Sequence, residues 1–128
     1  MQKEPLFLVI GKVQEGKKRG RVLGFPTANL ACPPAVPPGI YAGEAAWQNK
    51  VFPAALYKEK DRDVIEAHLL DFQGELYGEL VTLAAYKKLR EPANFANDEE
   101  LISAIKKDIE EIRKCLSSHL LRCEDKQE

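Results

Sequence analysis

The apolar pattern of this chain changes period once, near Pro92, and that change limits the folds open to it. Before Pro92 the period is two. In residues 63–72, Val64, Glu66, His68 and Leu70 share one face, while Ile65, Ala67, Leu69 and Asp71 share the other. After Pro92, Leu101, Ile105, Ile109, Ile112 and Leu116 recur at three and four residues, the spacing of an amphipathic helix. Asn97, three residues before Glu100, gives that helix a capping-box-like start. Many short strands followed by one long helix predict a small antiparallel barrel capped by a helix.

The remaining strands are punctuated by turn chemistry. Residues 6–13 read as a first strand broken by Gly11, and residues 29–31 as a short strand. The run 32–39, CPPAVPPG, carries four prolines and can be neither helix nor central strand, so it predicts a stiff connector. Residues 39–47 and 50–57 bracket Gln48-Asn49, a hairpin turn. Residues 58–63, KEKDRD, predict a solvated excursion. Gln73-Gly74 predicts a turn that returns residues 75–87 as the next pairing strand, although Ala84 to Lys88 also has helix propensity. From Ser117 the apolar periodicity is lost, which predicts a frayed tail. The expected organisation is one domain over 1–116 and a tail over 117–128, without repeats.

A length of 128 residues suffices for a real core without disulfide staples. The net charge of −1 argues against a nucleic-acid surface. Yet five cations, Lys12, Lys17, Lys18, Arg19 and Arg21, fall close together, while acidic residues are in excess from Asp98 onward. That asymmetry suits a local anion site. Cys32, Cys115 and Cys123 form no CxxC pair and no zinc pattern, so free thiols are expected. The apolar run of residues 6–10 is too short for a signal peptide or a membrane span, which points to a cytoplasmic protein that does not engage membranes.

Between residues 11 and 29 those cations are interleaved with Gly11, Gly16, Gly20 and Gly24, and the stretch closes on Pro26-Thr27-Ala28-Asn29. Glycines let a backbone approach a ligand and present bare N–H groups. The Thr27 hydroxyl and the Asn29 amide are oxygen ligands that Mg2+ accepts. The combination describes a seat for a polyphosphate and its metal, or equally a basic hairpin with a solvated tip. The spacing is not that of a P-loop. Glu66 sits mid-strand between apolar residues, where a carboxylate is costly unless partnered; it reads as a general base or as a rim carboxylate. His68 reads as a second acid/base group or a packed histidine, and Asp71 as a turn residue tied to Gly74. Arg90 reads as a ligand for a flat ring or as the ion-pair partner of Glu91 or an acidic helix residue.

Gly20-Arg21-x-x-Gly24-Phe25-Pro26-Thr27-Ala28-Asn29 resembles the G-R-x-x-G-[FI]-P-T-A-N signature of the riboflavin kinases, including the kinase half of bacterial bifunctional FAD synthetases. Gly39-Ile40-Tyr41-Ala42, Glu66-Ala67-His68-Leu69-Leu70-Asp71-Phe72, Leu76-Tyr77-Gly78, Leu89-Arg90, Asn94-Phe95 and the helix from Glu100 follow in the family's order. The resemblance covers residues 7–116. It implies a mainly β fold, a six-stranded antiparallel Greek-key barrel with a C-terminal helix, and no adenylyltransferase half. It further implies an enzyme that transfers the γ-phosphate of ATP to the 5′-hydroxyl of riboflavin to give FMN, with Mg2+, acting as a monomer on small molecules. The resemblance makes Glu66 the base and Thr27, with Asn29, the metal seat. Gly11, Lys12, Gly16, Arg19, Gly20, Arg21, Gly24, Pro26, Thr27 and Asn29 become the nucleotide site. Glu66, Arg90 and Phe95 become the flavin site, with the helix from Asp98 on the flavin side in relatives, although Phe95 and Tyr41 are more often core than ring platforms. A non-catalytic flavin- or nucleotide-binding module on the same barrel is the alternative. Relatives carry an N-I-G-x-x-P-T-like loop before the catalytic strand; residues 53–63 do not. The flavin side is therefore expected to be more open, with riboflavin binding weakly until nucleotide is present.

Overall fold

The computed structural model describes residues 4–14 and 27–127, with side chains through residue 115. Six strands are followed by one helix: β1 (Phe7–Lys12), β2 (Thr27–Ala31), β3 (Gly39–Trp47), β4 (Lys50–Lys58), β5 (Val64–Leu69), β6 (Leu80–Arg90) and α1 (Asp98–Gln127). All pairings are antiparallel, in the Greek-key order β1-β6-β3-β4-β5-β2. The two outer strands approach each other where the Gln14 N–H donates to the Asn29 carbonyl at 2.7 Å, nearly closing the barrel.

Strand alternation decides what the barrel encloses. Ile65, Ala67 and Leu69 of β5 point inward and are buried, with Ala28, Leu30, Leu56, Val81, Leu83 and Ala85. Glu66 and His68 are thereby forced to the outer face, because neighbouring residues of a strand point to opposite sides. Part of that face is covered by α1, where Ile112 packs on Ala42, Ala55 and Leu70. Gln48 and Asn49 join β3 to β4 with φ of 49° and 66°, a pair of positive values suited to a tight hairpin. β3 bulges between Ala42 and Gly43 against β6. A Cβ at Gly43 would run into the Ala84 carbonyl and the Leu56 side chain, so that approach requires glycine.

Three expectations change. Residues 75–87 do not return beside β5, whose neighbours are β4 and β2. Instead residues 70–79 cross the barrel end, turning at Gly78 (φ 81°), whose N–H donates to the Val13 carbonyl at 2.9 Å. The strand starts at Leu80 and pairs with β1 and β3, which overrides the helix propensity of Ala84 to Lys88. Second, the assigned helix α1 runs past Leu116, where the apolar periodicity ends, to Gln127. Extending an existing helix costs far less than starting one, and residues 117–127 contain neither Gly nor Pro. Third, Lys58 is not solvated: it is buried at the end of β4, and its ammonium donates to the Glu59 carbonyl at 2.9 Å. No helix among the described residues is long and apolar enough to cross a membrane.

Candidate active site

Antiparallel register places one row of side chains across five strands. Asn29 of β2 lies opposite Glu66 of β5, Glu66 opposite Tyr57 of β4, Tyr57 opposite Ile40 of β3, and Ile40 opposite Arg90 of β6. Directly opposed residues share a face, so this row is contiguous on the outer surface. One step along, Thr27 lies opposite His68. The sheet therefore brings together Thr27, Asn29, Glu66 and Arg90, which are far apart in sequence.

The segment after Pro92 and the start of α1 roof the row. They form a narrow cleft of about 70 Å³, open to solvent, lined by Tyr57, Glu66, His68, Arg90, Phe95 and Ile105, with Lys58 and Glu59 at its wall. Three polar atoms there are buried without a hydrogen-bond partner: Glu66 Oε2 and both ring nitrogens of His68. Glu66 Oε1 lies 3.5 Å from His68 Nε2, too long for a good hydrogen bond. His68 is packed against the Tyr57 ring, with centroids 4.4 Å apart. A buried carboxylate oxygen and two buried imidazole nitrogens are costly unless a ligand completes them.

The far end of the row is rigidly held. Arg90 Nε donates to Asp108 Oδ1 at 3.0 Å and Nη2 to Oδ2 at 2.8 Å, a bidentate pair. Nη1 donates to the Glu91 carbonyl at 3.3 Å. The guanidinium carbon lies 5.7 Å from the centre of the Phe95 ring. The Tyr57 hydroxyl donates to Asp108 Oδ2 at 3.4 Å. Burial, and then the Asp108 carboxylate, push the Tyr57 phenol well above its ordinary range, so it stays neutral. Of the alternatives for Arg90, the acidic helix residue is the ion-pair partner. Asp71 is tied not to Gly74 but to Arg113, whose two nitrogens each donate to one of its carboxylate oxygens at 3.2 Å. With φ of 61°, Asp71 ends the β5 alternation and turns its carboxylate toward α1. Tyr41 is core: its ring meets Phe7 edge-on and its hydroxyl donates to the Pro37 carbonyl.

Thr27 is half-buried and Asn29 buried at the opposite side of Glu66 from the cavity. Among the described residues no three His, Cys, Asp or Glu side chains converge as a metal cage. Neutral oxygens from Thr27 and Asn29 beside one carboxylate suit Mg2+, which keeps waters and shares phosphate oxygens rather than filling an all-protein site. Gly11 lies within β1 and Lys12, exposed, ends it; a Cβ at Gly11 would meet only Leu30, at 3.9 Å, so the barrel itself does not require glycine there. Gly16, Arg19, Gly20, Arg21, Gly24 and Pro26 lie outside the described residues.

Two residues of the site were given no role by the sequence. Tyr57 follows from register, once the Gln48-Asn49 hairpin sets it opposite Ile40. Asp108 had a signal: it lies three residues after Ile105 and four before Ile112, on the apolar stripe of α1, where a carboxylate requires a partner.

The riboflavin kinase family model, described as Flavokinase, matches residues 4–116. The bifunctional riboflavin kinase/FMN adenylyltransferase of Bacillus subtilis is 35% identical over 117 residues, covering 82% of this chain and 37% of the relative. The chain thus spans little more than a third of the length of such curated relatives. The solved riboflavin kinase of Trypanosoma brucei superposes with a TM-score of 0.67 at 23% identity, covering 90% of this chain and 82% of that one, a likeness of fold. A Streptococcus pneumoniae chain described as a macrolide-efflux protein superposes with a TM-score of 0.74 at 28% identity, covering 85% of this chain and 38% of that one. The match from residue 4 to residue 116 takes in every strand of the row and α1 as far as residue 116, and the chain belongs to the riboflavin kinase family.

Proposed function

We propose that this chain transfers the γ-phosphate of ATP to the 5′-hydroxyl of riboflavin, giving FMN and ADP. The observation that carries this reading is the place of Glu66. It stands between the oxygen side chains of β2 on one side and the open cleft under α1 on the other, with a buried, unpartnered Oε2. A base there reaches both the acceptor hydroxyl and the phosphate it attacks.

In this mechanism the flavin ring lies in the cavity against Arg90 and Phe95, which points its sugar-alcohol chain toward Glu66. Thr27 and Asn29 would hold Mg2+ on the nucleotide side of Glu66. When bound, the ion would supply charge neutralisation for the transferring phosphoryl group. Glu66 Oε2 accepts the hydroxyl proton as the new O–P bond forms and the bond to the β-phosphate oxygen breaks, releasing ADP. Holding donor and acceptor on adjacent strands converts an encounter of two molecules into a step within one complex. His68 lies beside Glu66 on the same face, with its ring against Tyr57. Gly11, Lys12 and the stretch from Gly16 to Pro26 complete the nucleotide side. The chain acts as a monomer in the cytoplasm on these small molecules alone.

Incubation with riboflavin and MgATP, followed by chromatography, should yield FMN, and omitting Mg2+ should abolish it. A parallel incubation with MgCTP identifies the donor. Failure to form FMN with either nucleotide would overturn the reading.

A further inference from the structure

Asp108 is 4% exposed, yet it lies on the helix rather than on the sheet that carries the row. Burying a carboxylate costs several kcal/mol unless its partners are good (about that order for any ion). Its partners are Arg90, through two nitrogens, and Tyr57. Both are cavity residues, and α1 has other contacts with the sheet. Ile112 already packs in the helix–sheet core, and Arg113–Asp71 supplies a second ion pair. The Arg90 donors are largely committed, Nε and Nη2 to Asp108 and Nη1 to Glu91, with Phe95 near one face. What the guanidinium can offer the cavity is chiefly its plane, the part that stacks on a flat conjugated ring.

We propose that Asp108 is a positioning residue: it fixes the Arg90 plane and the Tyr57 hydroxyl so that the cleft accepts a flat heteroaromatic ring. This rests on the riboflavin reading above. Asp108 touches no reacting atom, so its removal should act on flavin binding and leave the chemical step alone.

The test uses Asp108→Asn, which keeps the shape but cannot hold both Arg90 nitrogens as acceptor. Riboflavin KM should rise about tenfold or more, since hydrogen bonds to charged groups are strong, while kcat and the MgATP KM stay within about threefold. The visible absorption change of bound riboflavin should shrink. Arg113→Ala, which removes the other ion pair, should leave riboflavin KM and spectrum unchanged. If Asp108 acts through Arg90, the double variant Asp108→Asn/Arg90→Gln should bind riboflavin no worse than Arg90→Gln alone. Additive losses, an unchanged riboflavin KM, or a fall in kcat at unchanged KM would each overturn the proposal. Should Asp108→Asn not fold, Tyr57→Phe, which removes only the hydroxyl, must raise riboflavin KM without lowering kcat, and failure to do so overturns it. A wild type that binds no riboflavin overturns both this inference and the functional reading; wild-type binding unaltered by Asp108→Asn overturns the inference alone.

Discussion

Replacing Glu66 by Gln should separate activity from stability in opposite directions. The side chain is 18% exposed, and its Oε2 is buried with no donor. Removing a general base costs about 10²- to 10⁴-fold in rate, or about 3–5 kcal/mol of barrier. An unsatisfied buried charged group costs about 1–3 kcal/mol or more, and a neutral amide in its place costs less. Glu66→Gln should therefore lose turnover while the ligand-free protein keeps its Tm or gains a few degrees, at about 3–5 °C per kcal/mol for a domain of this size. Riboflavin and MgADP affinities should stay within a few-fold. The assays are initial rates of FMN formation, calorimetric melting and ligand titration on the same preparation. More than a tenth of the wild-type rate would refute the base. Lost turnover with a Tm several degrees lower would instead make Glu66 a structural residue.

Thr27→Ala should raise the Mg2+ concentration needed for half-maximal rate and slow phosphoryl transfer, with Tm little changed because Thr27 is half-buried on the outer face; a large loss of Tm with an unchanged metal titration would place the metal elsewhere. Riboflavin fluorescence quenching should tighten when MgADP is present, since Lys60, Asp61 and Asp63 are exposed and add little to the wall; equal affinities would mean that Lys58 and Glu59 already complete it. Ile112→Ala should cost about 2–4 kcal/mol, because the side chain is fully buried between α1 and the sheet, and a melt within about 0.5 kcal/mol of wild type would contradict that packing.

The features that were legible in the sequence are local ones. Alternation from Val64 to Leu70 assigned the faces of β5 and put Glu66 with His68. The Asn97 side chain accepts the Glu100 N–H at 2.9 Å, as the cap predicts, while the Glu100 carboxylate reaches the Ala96 N–H rather than that of Asn97. What was not legible depends on partners distant in sequence. β6 pairs with β1 and β3 because Val81, Leu83 and Ala85 fill the barrel, and no local signal near Gln73-Gly74 encodes that choice. The row from Asn29 to Arg90 exists only once five strands are in register. Asp108 illustrates the limit: its place on an apolar stripe demands a partner, but choosing Arg90 over any other cation required the fold.

A crystal structure with riboflavin and MgADP tests the assignment of this face most directly. The expected result has the ring against Arg90 and Phe95, the 5′-hydroxyl within about 3.2 Å of a Glu66 carboxylate oxygen, and the metal beside Thr27 and Asn29. Riboflavin seated elsewhere, such as on the exposed Leu8, Ile10 and Leu80 of the opposite strands, with Glu66 unengaged, would contradict it.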